Sequence, residues 1–301
     1  MLEILHKPHV DPVKYPLLDG YWPLTILLIS YLLFVLKLGK LHMANRQPYN
    51  LGTVLKVYNI FQVIYNTALF IAISYYIFWE KLYDFKCLSV LPLDHSHKNA
   101  ERIISYAYFI NKIIDLLDTI FIVLRKSYRQ ITVLHLVHHV YMVAASYVCI
   151  RFNGYGGHPM FVGYLNLLVH SVMYCYYYLA SVYPSIKQST WKEYMTIMQM
   201  IQFVMIFVHN IVTFMQPNCD VSPYMMSLVF VMTLVMLAMF TNFYIHSYVM
   251  AKDQRQEVFD YVKLTEKETK SNKKRLVQLV NYVSQCSPGF NLSHLQVILH
   301  K

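Results

Sequence analysis

The sequence predicts an all-α polytopic membrane protein with seven transmembrane helices. Three observations carry that expectation. Hydrophobic residues make up 56% of the 301 residues and charged residues only 14%, against about 25% charged in a typical soluble domain. Mean hydropathy is +0.36. Seven apolar stretches approach the ~20 residues needed to cross a bilayer. A soluble chain this apolar would lack the polar side chains to cover its surface. Disordered, collagenous and small disulfide-rich classes are excluded by the same figures. The net charge of +10 reads as topology and as attraction to an anionic cytoplasmic leaflet. Nucleic acid is not an expected partner, because the basic residues do not line one soluble face.

Residues 1–22 carry five charges and read as a lumenal segment; no short apolar run with a small-residue cleavage site marks a signal peptide. The transmembrane domain is expected over 23–249, with spans at 23–41, 54–79, 103–124, 132–150, 159–183, 194–215 and 223–248. Each reads as a helix, because backbone groups in lipid must bond within their own segment. The third is the least apolar, holding Lys112, Asp115 and Asp118. Residues 250–301 form a basic tail, expected to begin as a short helix.

Seven crossings place the chain ends on opposite sides. With the tail in the cytosol, 18 Lys/Arg residues fall on that side and seven on the other, with Lys112 inside the membrane. The positive-inside rule then sets the N-terminus in the lumen and the tail in the cytosol. Nine of the 18 lie in the tail.

Ionisable groups at the bilayer centre cost roughly 2.5–3.5 kcal/mol each on insertion scales and are functional candidates by default. In span three, Lys112, Asp115, Asp118 and Thr119 share a helical face, and Lys112 can pair with Asp115 at i,i+3. A buried ion pair that merely fixes packing is the plain alternative. In span four, His135, His138 and His139 form H-x-x-H-H on one face; three imidazoles so placed each need a polar partner, which packing alone does not supply. In span five, Asn166, His170, Met173, Tyr174 and Tyr177 trace another face. Asn166 is the expected partner that fixes the His170 tautomer, while an aromatic stripe alone would mean packing. In span six, Thr196, Gln199 and Gln202 line one face, with interhelical hydrogen bonding as the alternative role. Isolated His209 and His246 read as satisfied core residues. Most of these clusters lie toward the cytosolic ends of their spans, where a water-soluble head group and a lipid tail could both be held.

A metal site is one reading of H-x-x-H-H, which resembles a histidine box of membrane di-iron enzymes. Those enzymes need further boxes, and none is found: His95 and His97 stand in a loop on the other side. The expectation is therefore no metal and no dissociable cofactor. The ordered set K-x-x-D-x-x-D-T (112–119), H-x-x-H-H (135–139, after Gln130), N-x-x-x-H-x-x-M-Y (166–174), T-x-x-Q-x-x-Q (196–202) and N-F-Y-x-x-x-Y (242–248) resembles the very-long-chain fatty acid elongases, the condensing 3-oxoacyl-CoA synthases. The resemblance covers about residues 20–252. Asp115 stands where that family more often has Glu, Val137 where an aromatic is common, and the chain ends in Ile298-Leu299-His300-Lys301 without the dilysine signal of many members.

The resemblance implies an acyl tunnel enclosed by six of the seven helices, residence in the endoplasmic reticulum membrane, and work beside the other enzymes of the elongation cycle, with a homo-oligomer compatible. It implies condensation of a long-chain acyl-CoA with malonyl-CoA to 3-oxoacyl-CoA, CO2 and CoA. Cys149 and Cys175 are poorly placed to act as the nucleophile, Cys149 lying about 15 Å along the helix from His139. His138 is the expected nucleophile, forming an acyl-imidazole. His170 would assist the malonyl step, while His135 and His139 orient the site and carry protons. Asn166, Gln199 and Gln202 are candidate oxyanion donors, and Tyr174, Asp115 and Asp118 complete the substrate-binding set. Lys112 would meet CoA phosphate or carboxylate charge, or only its aspartates. A lipid carrier or receptor is the alternative from another class, and seven spans alone would permit it.

Five cysteines leave at least one thiol unpaired. Cys286 falls in the reducing cytosol, while Cys87 and Cys219 fall in oxidising lumenal loops. A Cys87–Cys219 disulfide is expected, the alternative being two free thiols on one side. The chain-entropy model credits so long a loop with at most roughly 4–5 kcal/mol. Asn291, in the only N-x-[ST] sequon, is expected to stay unglycosylated in the cytosol.

Overall fold

The computed structural model describes residues 9–187, 190–268 and 282. The chain is all-helical, and among the described residues the sole β-type pairing is an isolated bridge between Asp84 and Cys87. The order is α1 (Tyr21–Met43) and α2 (Gly52–Trp79), then α3 (Lys98–Ile114) and α4 (Leu116–Leu124). There follow α5 (Val133–Asn153), α6 (Pro159–Val182), a short turn at Pro184–Lys187, α7 (Trp191–Phe214), α8 (Pro223–Tyr244), a π-turn at Ile245–Met250 and α9 (Ala251–Glu268). The residues fall into two compact units divided between Phe240 and Thr241. Asn291, Cys286 and the terminal residues 298–301 lie outside the described residues.

Among the described residues, five helical runs are long and apolar enough to cross a membrane: Tyr21–Met43, Gly52–Trp79, Val133–Asn153, Trp191–Phe214 and Pro223–Phe259. The other two expected spans are helical but more polar. The third begins earlier than expected, at Lys98, and breaks at Asp115. There the Asp118 amide reaches back three residues to the Asp115 carbonyl (3.2 Å), a tighter turn than an α-helix makes. The fifth, α6, carries Asn166, His170 and several tyrosines.

Local sequence explains the ends. The Thr132 hydroxyl accepts the His135 amide at 3.1 Å and caps α5. Pro159 opens α6, where its missing N–H costs nothing. Between them Gly156 has φ +87° and lies beneath Glu101, so that a Cβ there would stand 2.0 Å from the Glu101 carboxylate. Gly39 lets α1 approach α4: a Cβ there would meet Val123 at 2.8 Å.

One core joins Leu24, Tyr31 and Val35 of α1 to Phe109, Leu116, Val123, Val143 and Tyr147. A second joins Phe161 and Leu165 to Phe203, Ile206, Val229, Met236 and Phe240. Helices α2 and α6 pack side by side, through Phe70 stacked on Tyr164 (4.7 Å) and Thr67 donating to Ser171 (3.2 Å).

Lys98 and Arg102, two of the seven basic residues counted on the lumenal side, are both buried in the first turns of α3. Lys98 Nζ lies 2.7 Å from Glu101, and Arg102 Nε donates to both oxygens of Asp11 (3.1 and 2.9 Å). The Arg102–Asp11 pairing spans 91 residues, and helical periodicity within one segment carries no information on it. His246 is exposed rather than core, with Nδ1 2.9 Å from the Asn242 carbonyl. His209 is buried as expected, its Nε2 2.9 Å from the Phe85 carbonyl, although it also stacks on His158 (5.3 Å) rather than standing alone.

The Cys87–Cys219 disulfide is present, with 5.7 Å between Cα atoms. It places the two loops on one side, so an even number of crossings separates them. Helices α5 and α7 both qualify as spans, so α3–α4 and α6 both cross or neither does. Replacing Cys87 by serine is expected to lower the melting temperature in detergent by about 5 °C or more. Peptide mapping of unreduced wild type is expected to recover the linked peptides; alkylatable thiols at both positions would contradict the bridge.

Candidate active site

Asp115, at the break between α3 and α4, is the hub of the site. Its Oδ2 lies 2.7 Å from Lys112 Nζ and 3.5 Å from His170 Nδ1. Its Oδ1 accepts from Gln62 Nε2 (2.8 Å) and Tyr174 Oη (3.1 Å). Tyr174 also bonds Asp118 Oδ2 at 2.6 Å. Lys112 Nζ donates to Asn166 Oδ1 at 2.8 Å and stands 5.1 Å from the Tyr108 ring centroid. Lys112 is 2% exposed, and in this structure its ammonium is paired with the Asp115 carboxylate.

Asn166 is the partner that the sequence suggests for His170, yet its carbonyl oxygen is taken by Lys112 and by Tyr108 Oη (3.3 Å). A charged donor outcompetes a neutral imidazole for that oxygen. His170 Nδ1 makes no hydrogen bond; the charged group facing it is Asp115, at 3.5 Å.

The three histidines of α5 gather as the helical wheel requires. His135 and His139 have ring centroids 4.5 Å apart, and His138 and His139 5.7 Å apart. His135 Nε2 lies 2.8 Å from Thr119 Oγ1, which in turn accepts from Tyr31 Oη at 2.7 Å. His138 Nδ1 is buried with no hydrogen-bond partner, although its ring lies within electrostatic range of Lys112, Asp115 and His170. On α7, Gln199 Nε2 contacts Met173 Sδ at 3.7 Å and Gln202 is buried; neither contacts the Asp115 hub.

A cavity of about 100 Å³ lies beside Tyr108, walled also by Tyr141, Met142, Ala145, Met160 and Val162. Tyr108 belongs to both cluster and cavity, bonding Asn166 beside Lys112 and facing the cavity. Cys149 lines the cavity, while Cys175 is exposed. Neither belongs to the histidine cluster.

Several site residues lie outside the motifs. Gln62, Tyr58 and Asn66 of α2, and Asn111 and Tyr108 of α3, all join the hub. Tyr58, Gln62 and Asn66 recur every fourth residue on one face of α2. That periodic polar face is the signal by which the sequence could have disclosed them.

A chain with this constellation in this order on these helices matches a known family model over residues 16–256, described as ELO: GNS1/SUR4 family. The chain belongs to the ELO family. Among its relatives is very long chain fatty acid elongase F of Drosophila melanogaster, 42% identical over 241 residues, covering 80% of this chain and 94% of that one. Very long chain fatty acid elongase 7 of the same organism is 35% identical, covering 78% and 71% of the two chains. Very long chain fatty acid elongase 1 of Mus musculus is 33% identical, covering 81% and 88%. All the motif residues of this ELO protein, from Lys112 to Tyr248, fall inside the matched region.

Proposed function

We propose that this ELO protein condenses a long-chain acyl-CoA with malonyl-CoA to 3-oxoacyl-CoA, the carbon–carbon bond-forming step of fatty acid elongation. The observation that supports the reading is the place of Tyr108: it bonds Asn166 beside the buried Lys112–Asp115 pair and also lines a mainly apolar cavity. The elongase names of the relatives support it.

In the proposed sequence the lone pair of His138 attacks the thioester carbonyl carbon. The C–S bond breaks, and CoA leaves as a thiolate that takes up a proton. The acyl group rests on the imidazole, which is reactive enough to pass it on. Malonyl-CoA then loses CO2, and the electron pair of its C–C bond attacks the acyl carbon. The C–N bond breaks, and His138 is regenerated. His170, fixed beside Asp115, assists the malonyl step. His135 and His139 orient the site and move protons. Decarboxylation supplies the driving force, so the proposal requires no metal or redox cofactor.

The membrane arrangement proposed with it has all seven helices crossing, the N-terminal segment and the disulfide in the lumen of the endoplasmic reticulum, and α9 in the cytosol. The disulfide is compatible with this count, since it requires α3–α4 and α6 either both to cross or both not to. The test is purified protein with labelled malonyl-CoA and a panel of acyl-CoA primers, with and without EDTA. One 3-oxoacyl-CoA and one CO2 per turnover, unchanged by chelation, is expected. Folded protein that releases no product from any primer overturns the reading.

A further inference from the structure

Helix α2 contributes none of the motif residues, yet Gln62 on it is completely buried and touches the hub of the site. Its amide has one orientation open to it. Nε2 donates to Asp115 Oδ1 (2.8 Å) and to Tyr58 Oη (3.1 Å). Oε1 accepts from Asn111 Nδ2 (2.9 Å) and Asn66 Nδ2 (3.1 Å). A flipped amide would set its oxygen against the carboxylate and its NH2 against two other NH2 groups, losing three of the four bonds and keeping only the one to the Tyr58 hydroxyl, which can donate as well as accept. The Asn66 side chain is held in turn, donating also to the Gln62 carbonyl at 2.8 Å.

The consequence falls on the carboxylate. With Oδ1 occupied by Gln62 and Tyr174, rotation about the Cβ–Cγ bond is blocked, and Oδ2 is left to face Lys112 and His170. A carboxylate oxygen beside Nδ1 favours the tautomer with its proton on that nitrogen, which leaves Nε2 as the accepting nitrogen. At 3.5 Å the two make no hydrogen bond in this structure; catalytic hydrogen bonds often tighten only when substrate binds. We propose that Gln62 is a positioning residue for His170: it locks Asp115 so that one carboxylate oxygen is presented to the imidazole. This rests on the reading that His170 serves the condensation.

The test is steady-state and single-turnover condensation kinetics of Gln62→Met, which keeps the length of the side chain and removes its donor. Loss of a hydrogen bond to a charged group predicts a kcat about tenfold lower. KM for acyl-CoA is expected to stay within about twofold, because Gln62 touches no cavity-lining position. In an Asp115→Asn background, Gln62→Met is expected to cost less than about twofold more, because the group it positions is already gone. Gln62→Asn, which leaves the amide one methylene short, is read the same way if the methionine variant fails to fold. Unchanged kcat, or a loss confined to KM, overturns the proposal, and the split decides if the Asp115→Asn rates are too low to compare. His170→Ala separates the two levels. An inactive His170→Ala beside a wild-type-like Gln62→Met sinks only the role of Gln62, whereas an active His170→Ala sinks the underlying reading.

Discussion

Replacement of His138 by alanine is expected to lower condensation by about 10³-fold or more while leaving a folded, membrane-inserted protein. The size follows from removing a covalent nucleophile rather than an accessory group. The survival of the fold follows from the contacts. The buried Nδ1 of His138 makes no hydrogen bond, so alanine forfeits none there. What is lost is ring packing, the edge-on contacts with His139 at 5.7 Å and Phe240 at 6.2 Å. Intact-mass analysis of wild type after incubation with acyl-CoA alone is expected to show one acyl adduct, absent from His138→Ala. Cys149→Ser and Cys175→Ser are expected to keep most activity, since one thiol lines the cavity wall and the other is exposed. An inactive cysteine variant beside an active His138→Ala would end the imidazole mechanism.

The second large effect is expected at the buried ion pair. Lys112→Met leaves the Asp115 carboxylate buried without its ammonium, and removal of one partner of such a pair costs roughly 3–5 kcal/mol. Lys112 is 2% exposed, as is Asp115, so water cannot replace the lost partner. A strongly lowered melting temperature and no activity are expected. The double variant Lys112→Met/Asp115→Asn removes both charges, while the introduced amide retains an acceptor oxygen for Gln62 and Tyr174. It is expected to regain most of the stability and none of the activity. Recovery of both would mean that the pair serves packing alone, the plain alternative for these residues. Melting curves in detergent and a decarboxylation assay on wild type and both variants decide between them.

Much of this protein could be read from its residues in order. Apolar length gave the helices, because a backbone in lipid must bond to itself. Helical periodicity brought His135, His138 and His139 together, and Lys112 onto Asp115, because residues three and four apart share a face in any helix. Sidedness paired Cys87 with Cys219, since only those two thiols fell in the oxidising compartment. What periodicity cannot state is which face of one helix meets which face of another. That choice gave Asp115, rather than Asn166, to His170, because the Lys112 ammonium claimed the Asn166 oxygen first. It brought Gln62 across from α2 to hold the carboxylate. It gathered Lys98 and Arg102 into a buried cluster with Asp11. Each of these contacts joins residues far apart in sequence, 53 positions for Gln62 and Asp115 and 91 for Arg102 and Asp11. Each is decided by the free energy of satisfying buried polar groups between packed helices, a quantity that exists only once the helices have met.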